Sequence, residues 1–189
     1  MLKEKKLEGK KVLIIIASKN FRDEEYFIPY DVFQKEGAKI IIASSVKGDI
    51  IGIEGGEARS TLTLDEVNPR NFDAVVFIGG SGATEYFDNN DAHKIVQEMA
   101  SLHKVVGAIC VAPVILAKAG ILVGRNATVW SSLMNKNNIK ELKNSGCSVM
   151  EERVVKDKKI ITADGPAVSK EFAEKIVETI IERGEGEEN

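Results

Sequence analysis

KVVGAICVAPVILAKAG (104–120) reads as a buried strand, a sharp junction and a short helix. KVVGAI (104–109) is a continuous apolar run of strand length, the pattern of a strand covered on both faces. Pro113 suits the first turn of a helix, where the N–H it lacks would have no partner. Gly120 stops that helix. Three further runs repeat the strand pattern: KVLIIIAS (11–18), AKIIIASS (38–45) and FDAVVFIGG (72–80). Between them, Asp23 to about Glu36 predicts a helix with acidic residues in its first turn and Gly37 at its end. Pro29 inside it is expected to bend or tighten it. Residues 46–62 read as hairpin or loop, punctuated by Gly48, Gly52, Gly55 and Gly56. Residues 91–102 predict a helix, 126–130 a strand, 136–144 a helix, and 147–163 strands around a turn near 156–158. SKEFAEKIVETIIERG (169–184) closes the pattern as an amphipathic helix. Ser169 is its expected N-cap, with Phe172, Ile176, Val177, Ile180 and Ile181 on one face.

Strand–helix alternation of this kind predicts an α/β fold, a flavodoxin-like three-layer sandwich with a mostly parallel sheet. The 189 residues suit one domain over 1–183, followed by an acidic, apolar-free tail (184–189) that is expected to fray. Hydrophobic residues at 43% and charged residues at 29% exclude a disordered chain. A net charge of −3 without a basic stripe argues against nucleic acid as a partner. The longest apolar runs fall far short of a membrane span, and the charged N-terminus leads straight into a strand, so a cytoplasmic protein is expected. Two cysteines build no disulfide framework, and the scattered His and Cys residues have no metal-ligand spacing, so neither a metal nor a cofactor is expected.

In such sheets ligands bind beyond the carboxyl ends of the strands, where strand order reverses. Three features meet there: Glu24 and Glu25 after the first strand, Gly79–Gly80 after the third, and Cys110 after the fourth. A thiol at a strand-to-helix junction faces unpaired N–H groups, which is expected to lower its pKa and favour the reactive thiolate. A small buried core residue is the competing reading of Cys110. The glycine pair offers close backbone donors for an oxyanion. A dinucleotide loop is only half matched, since GGSGATEY places Glu85 where the last glycine belongs. Acidic residues in a first helical turn need no catalytic reason, but one that faces Cys110 from a buried position would gain a raised pKa and handle protons.

The blocks DEEYFIPYDVFQKEGAKIIIAS, VVFIGG, GAICVAP with LAKAGILVGRNAT, and ITADGPAVSKEFA, in this order, resemble the DJ-1/PfpI superfamily over about residues 10–183. The resemblance implies Cys110 as the reactive cysteine, Glu25 as its glutamate, and the backbone N–H groups of Gly80 and Val111 as oxyanion donors. Gly79, Glu85, Trp130 and Pro166 are further candidates. Glu85 resembles, one residue out of register, a glutamate that some members lend across a subunit interface. The resemblance further implies a homo-oligomer, dimer or hexamer, and several activities: a cysteine-dependent deglycase or glutathione-independent glyoxalase acting on small carbonyl compounds and glycated adducts, an oxidative-stress sensor or chaperone, or an intracellular peptidase. The peptidase branch carries His directly after the cysteine, where this chain has Val111, and another branch carries His where Trp130 stands. His93 and His103 both lie in polar stretches and read as solvated. Cys147 reads as a structural or partly exposed thiol.

Overall fold

The structure, a computed structural model, describes residues 5–182. The acidic stretch 184–189 lies outside the described residues. The chain runs β1 (Lys11–Ile15), α1 (Asp23–Lys35), β2 (Lys39–Ser44), β3 (Gly48–Ile51), β4 (Glu57–Ser60), β5 (Leu62–Thr63), β6 (Ala74–Phe77) and α2 (Asn90–Ser101). It continues through β7 (Val105–Ile109), α3 (Pro113–Lys118), β8 (Asn126–Ala127), α4 (Asn137–Asn144), β9 (Ser148–Val149), β10 (Val154–Asp157), β11 (Ile160–Ala163) and α5 (Ser169–Ile181). Seven strands form one sheet in the order β10-β11-β7-β6-β1-β2-β5, parallel except for β10 at one edge. This is the doubly wound sandwich that the alternation predicts.

Period-two packing builds a core on each face of the sheet. Leu13 and Ile15 of β1 join Val75, Phe77, Val106 and the buried side of α2. Val12 and Ile14, one residue out of step, join Val76, Ile109 and the α5 residues Phe172 and Ile176. Residues 46–62 become the β3–β4 hairpin, whose turn is tied to α1 because Asp23 accepts the N–H groups of Glu54 and Gly56 at 2.8 and 2.7 Å. Among the described residues no helix is long and apolar enough to cross a membrane.

Three local expectations are corrected. Val168, not Ser169, occupies the N-cap of α5; Ser169 is already helical, and its buried hydroxyl has no hydrogen-bond partner. The Pro166–Val168 turn feeds the helix directly and leaves no extended capping residue. Ile181 is exposed, although its neighbour Ile180 still packs against the core. The strand expected over 126–130 stops at Ala127; Thr128 instead donates its N–H to the Thr162 hydroxyl, which replaces the ladder. Helix α1 is continuous through Pro29, which is buried. Pro29 has no N–H to offer the carbonyl four residues earlier, which belongs to Glu25.

Candidate active site

Strands β1, β6, β7 and β11 lie side by side and parallel, so the segments that follow them converge at one end of the sheet. Cys110 leaves β7 with φ at 62°, the left-handed region, which costs a residue with a Cβ about 1 kcal/mol. Its backbone is held on both sides: its N–H donates to Ala163 at 2.9 Å, and its carbonyl accepts from Trp130 at 2.8 Å. The thiol is thereby fixed toward the ends of β6 and β1, with 9% of the residue exposed.

Glu25 meets it from the first turn of α1. Helical rotation separates the two candidate acids: Glu24 turns outward and pairs with Arg22 at 2.8 Å, whereas Glu25 is fully buried. Glu25 Oε2 accepts the Gly79 N–H at 3.0 Å, and Oε1 is buried with no hydrogen-bond partner. Burial pushes this carboxyl up to about 7, opposed by the Cys110 thiol, the Gly79 N–H and the nearby Arg22 charge. Gly79 has to be glycine, since a Cβ there would lie 2.5 Å from the Cys110 Cβ and 2.6 Å from Glu25 Oε2. At Gly80, with φ at 101°, a Cβ would lie 2.6 Å from both the Arg22 nitrogen and the Asn20 carbonyl oxygen of the segment after β1.

The expected low thiol pKa is reversed. Burial first, and the negative charge of Glu25 second, push the Cys110 thiol up to about 12. The N–H groups of Gly80 and Val111 act on the sulfur in the opposite direction. A charge shut away from water outweighs two neutral donors, and α3 is only six residues long with Ala112 as its N-cap, two residues past the thiol. Part of the rise exists only while Glu25 is ionised, so thiol and carboxyl titrate as one pair.

The structure therefore gathers Cys110, Glu25, Gly79, Gly80 and Val111 at one point. Trp130 and Pro166 are half-buried and wall a cleft of about 650 Å³ that Cys110 itself does not line. Glu85 stands apart: its carboxylate accepts from Ser18 and Ser45 at 2.7 to 2.9 Å and fastens the ends of β1 and β2. His93 is not solvated; its half-buried ring bonds the Phe87 carbonyl at 2.8 Å. His103 is exposed before β7, at the opposite end of that strand from Cys110. Cys147 is buried beside β9 and its thiol is pushed up by burial. Among the described residues no three His, Cys, Asp or Glu side chains gather as a metal site requires.

The model of the DJ-1/PfpI family matches residues 10–179. The chain belongs to the DJ-1/PfpI family. Protein MJ0967 of Methanocaldococcus jannaschii is 39% identical over 184 residues, covering 97% of this chain and 88% of the relative. Deglycase PH1704 of Pyrococcus horikoshii is 35% identical over 157 residues, covering 83% and 91%. Among solved structures, the ThiJ/PfpI domain protein of Brachyspira murdochii superposes with a TM-score of 0.85 at 32% identity, covering 90% of this chain and 95% of that one. Cys110, Glu25 and the two glycines all fall inside the matched span.

The sequence did not disclose the cleft beyond Trp130. Its walls come from segments around 128–131, 136–143, 149–153 and 164–167, which only the fold brings together. The one available signal was the spacing of Lys136, Ile139 and Lys143, which places them on one helical face.

Proposed function

We propose that this protein is a cysteine-dependent hydrolase of reactive carbonyls and their glycated adducts, of the deglycase or glutathione-independent glyoxalase type. One observation carries the reading: a carboxyl with no exposure lies against a buried thiol, with one oxygen lacking any partner. Beyond accepting the Gly79 N–H, the burial leaves the second oxygen unsatisfied and costs stability, so chemistry is the reason to keep it. Relatives at 30–35% identity named as deglycases support the substrate class.

Cys110 Sγ adds to the aldehyde carbon of a dicarbonyl such as methylglyoxal. A carbon–sulfur bond forms, and the thiol proton ends on the carbonyl oxygen. The N–H groups of Gly80 and Val111, already acting on the sulfur, stabilise the charge that develops beside it. Glu25 takes the proton from the carbon bearing sulfur and returns it to the neighbouring carbon, while the hydroxyl proton passes from the first oxygen to the second, so the thioester carbonyl and the new alcohol form together. The aldehyde carbon is oxidised as the ketone carbon is reduced, so the step needs no external oxidant or reductant. Water then cleaves the thioester, releasing lactate and the thiol. With an aminocarbinol adduct, the carbon–nitrogen bond breaks as the carbon–sulfur bond forms, and the thiol proton leaves on the amine. A carboxyl near 7 both gives and takes protons at neutral pH, which makes a histidine unnecessary. A peptidase has less support, since Val111 follows the cysteine and the His93 ring is already engaged by a carbonyl.

Purified protein incubated with excess methylglyoxal is expected to form many equivalents of lactate per Cys110. Aldehyde loss that stops at one equivalent would reduce Cys110 to a reactive trap and sink the proposal.

A further inference from the structure

The Gly80 N–H serves an oxyanion only if the backbone that carries it is held in place beforehand. That backbone is fastened to the segment after β1. The Arg22 N–H donates to the Gly79 carbonyl at 3.0 Å, and the Gly82 N–H donates to the Asn20 carbonyl at 3.2 Å. The contact leaves no slack: a Cβ at Gly82 would overlap the Lys19 carbonyl oxygen, and one at Gly80 would meet Asn20 and Arg22. Residues 18–22 are therefore the bed on which the Gly79–Gly82 turn rests.

A side chain from the same turn grips that bed. Gly80 leads into a short helical turn, Ser81–Tyr86, which carries Glu85 near its end. Glu85 Oε1 accepts the Ser18 N–H at 2.9 Å, and Oε2 accepts the Ser18 hydroxyl at 2.7 Å. Oε1 also accepts the Ser45 hydroxyl, just past β2, at 2.9 Å. Its neighbour Tyr86 ties the same two strands more deeply: the phenol donates to the Ile16 carbonyl at 2.8 Å and accepts the Ser45 N–H at 2.9 Å. Tyr86 thus fixes the chain as far as Ile16. Farther along, the β3–β4 hairpin takes hold, where the Asn20 N–H donates to the Ile51 carbonyl at 3.0 Å. Between these two anchors, Glu85 supplies the side-chain bonds to Ser18.

We infer that Glu85 is a positioning residue for the oxyanion donor: through Ser18 it sets the segment that aims the Gly80 N–H at the Cys110 sulfur. The effect on rate rests on the carbonyl-hydrolase reading. Glu85 transfers no proton in this role and touches no substrate, and it works within one chain. A glutamate lent to a neighbouring subunit would instead have to release Ser18 and Ser45.

The Gly80 N–H pulls the Cys110 thiol pKa down, so that pKa reports the donor's aim without any turnover. Glu85→Ala removes a negative charge and three hydrogen bonds. Loss of the charge alone would lower the thiol pKa, whereas a displaced N–H raises it, so the sign separates the two. Thiolate absorbance is followed on a Glu25→Gln/Cys147→Ser background, which removes the Glu25 charge and the second thiol. There Glu85→Ala should ionise Cys110 at clearly higher pH. With Glu25 in place, kcat for lactate should fall about 10- to 100-fold at unchanged KM. Glu85→Gln should stay within about threefold of the native rate and keep the thiol pKa from rising, because its amide oxygen accepts the Ser18 N–H and its NH2 donates to the Ser18 hydroxyl. Ser18→Ala, which removes one hydroxyl from the clamp, should shift both readouts in the same direction by less, and it decides the matter if Glu85→Ala does not fold. A thiol pKa that is unchanged or lower while the melting temperature falls would overturn the inference and leave Glu85 a structural tie. A glutamine variant as impaired as alanine would overturn it too, since the charge and not the grip would then matter. The predicted thiol shifts in a protein that forms no lactate would leave the positioning standing and remove the carbonyl-hydrolase reading instead.

Discussion

Glu25→Gln is expected to make the protein more stable at pH 8 while removing turnover. The folded carboxyl is raised to about 7 from an ordinary value of 4.5, and the cause is burial. A group raised in this way contributes its stability fully below pH 4.5, and the contribution is lost as pH rises to 7, because only the folded state still holds the proton in that window. The loss amounts to roughly 3 kcal/mol above pH 7. Glutamine keeps the oxygen that accepts the Gly79 N–H and never ionises. Thermal unfolding should therefore show the variant melting about 5–10 °C higher at pH 8, with no difference at pH 4. Lactate formation should fall by roughly 10²- to 10⁴-fold, the usual contribution of a general acid–base group. Equal melting temperatures at pH 8 would mean that Glu25 is not held at a stability cost. Gain and loss from one substitution is the signature of a residue kept for chemistry.

Cys110→Ala should abolish lactate formation, a drop of roughly 10³-fold or more for loss of a nucleophile. Stability separates the thiol from the backbone that carries it. Alanine inherits the φ of 62°, whereas glycine adopts it without a Cβ penalty. Cys110→Gly should accordingly be about 1 kcal/mol more stable than Cys110→Ala by urea denaturation, and equally inactive. Activity retained in either variant would move the chemistry away from Cys110.

Much of this was legible in the sequence. Four apolar runs of strand length, three of them followed by helix signals, point to a parallel sheet, and strand ends in a parallel sheet must converge. The order of the strands therefore brings Cys110, the Gly79–Gly80 pair and the acidic pair together. The choice between Glu24 and Glu25 needed the resemblance, because helical rotation places them on different faces but does not say which face meets the sheet. The thiol's pKa departs from the sequence expectation for a physical reason. A junction near a helix start implies donors, whereas burial depends on what packs over it, which local sequence does not encode. The partners of Glu85 are equally hidden from local sequence: Ser18 and Ser45 are 67 and 40 residues away. The short strand before Trp130 failed because a threonine side chain from β11, rather than a ladder partner, satisfies Thr128.

Cys110 and Glu25 act as one titrating pair, and a thiolate absorbance titration measures this most directly. It is made on a Cys147→Ser background, so that Cys110 is the only thiol, and compares Glu25 with Glu25→Gln. Since the Glu25 charge is the second cause of the raised thiol pKa, its removal should bring thiolate formation to a clearly lower pH. An unchanged or higher thiol pKa in the glutamine variant would contradict the coupling on which the proposed chemistry depends.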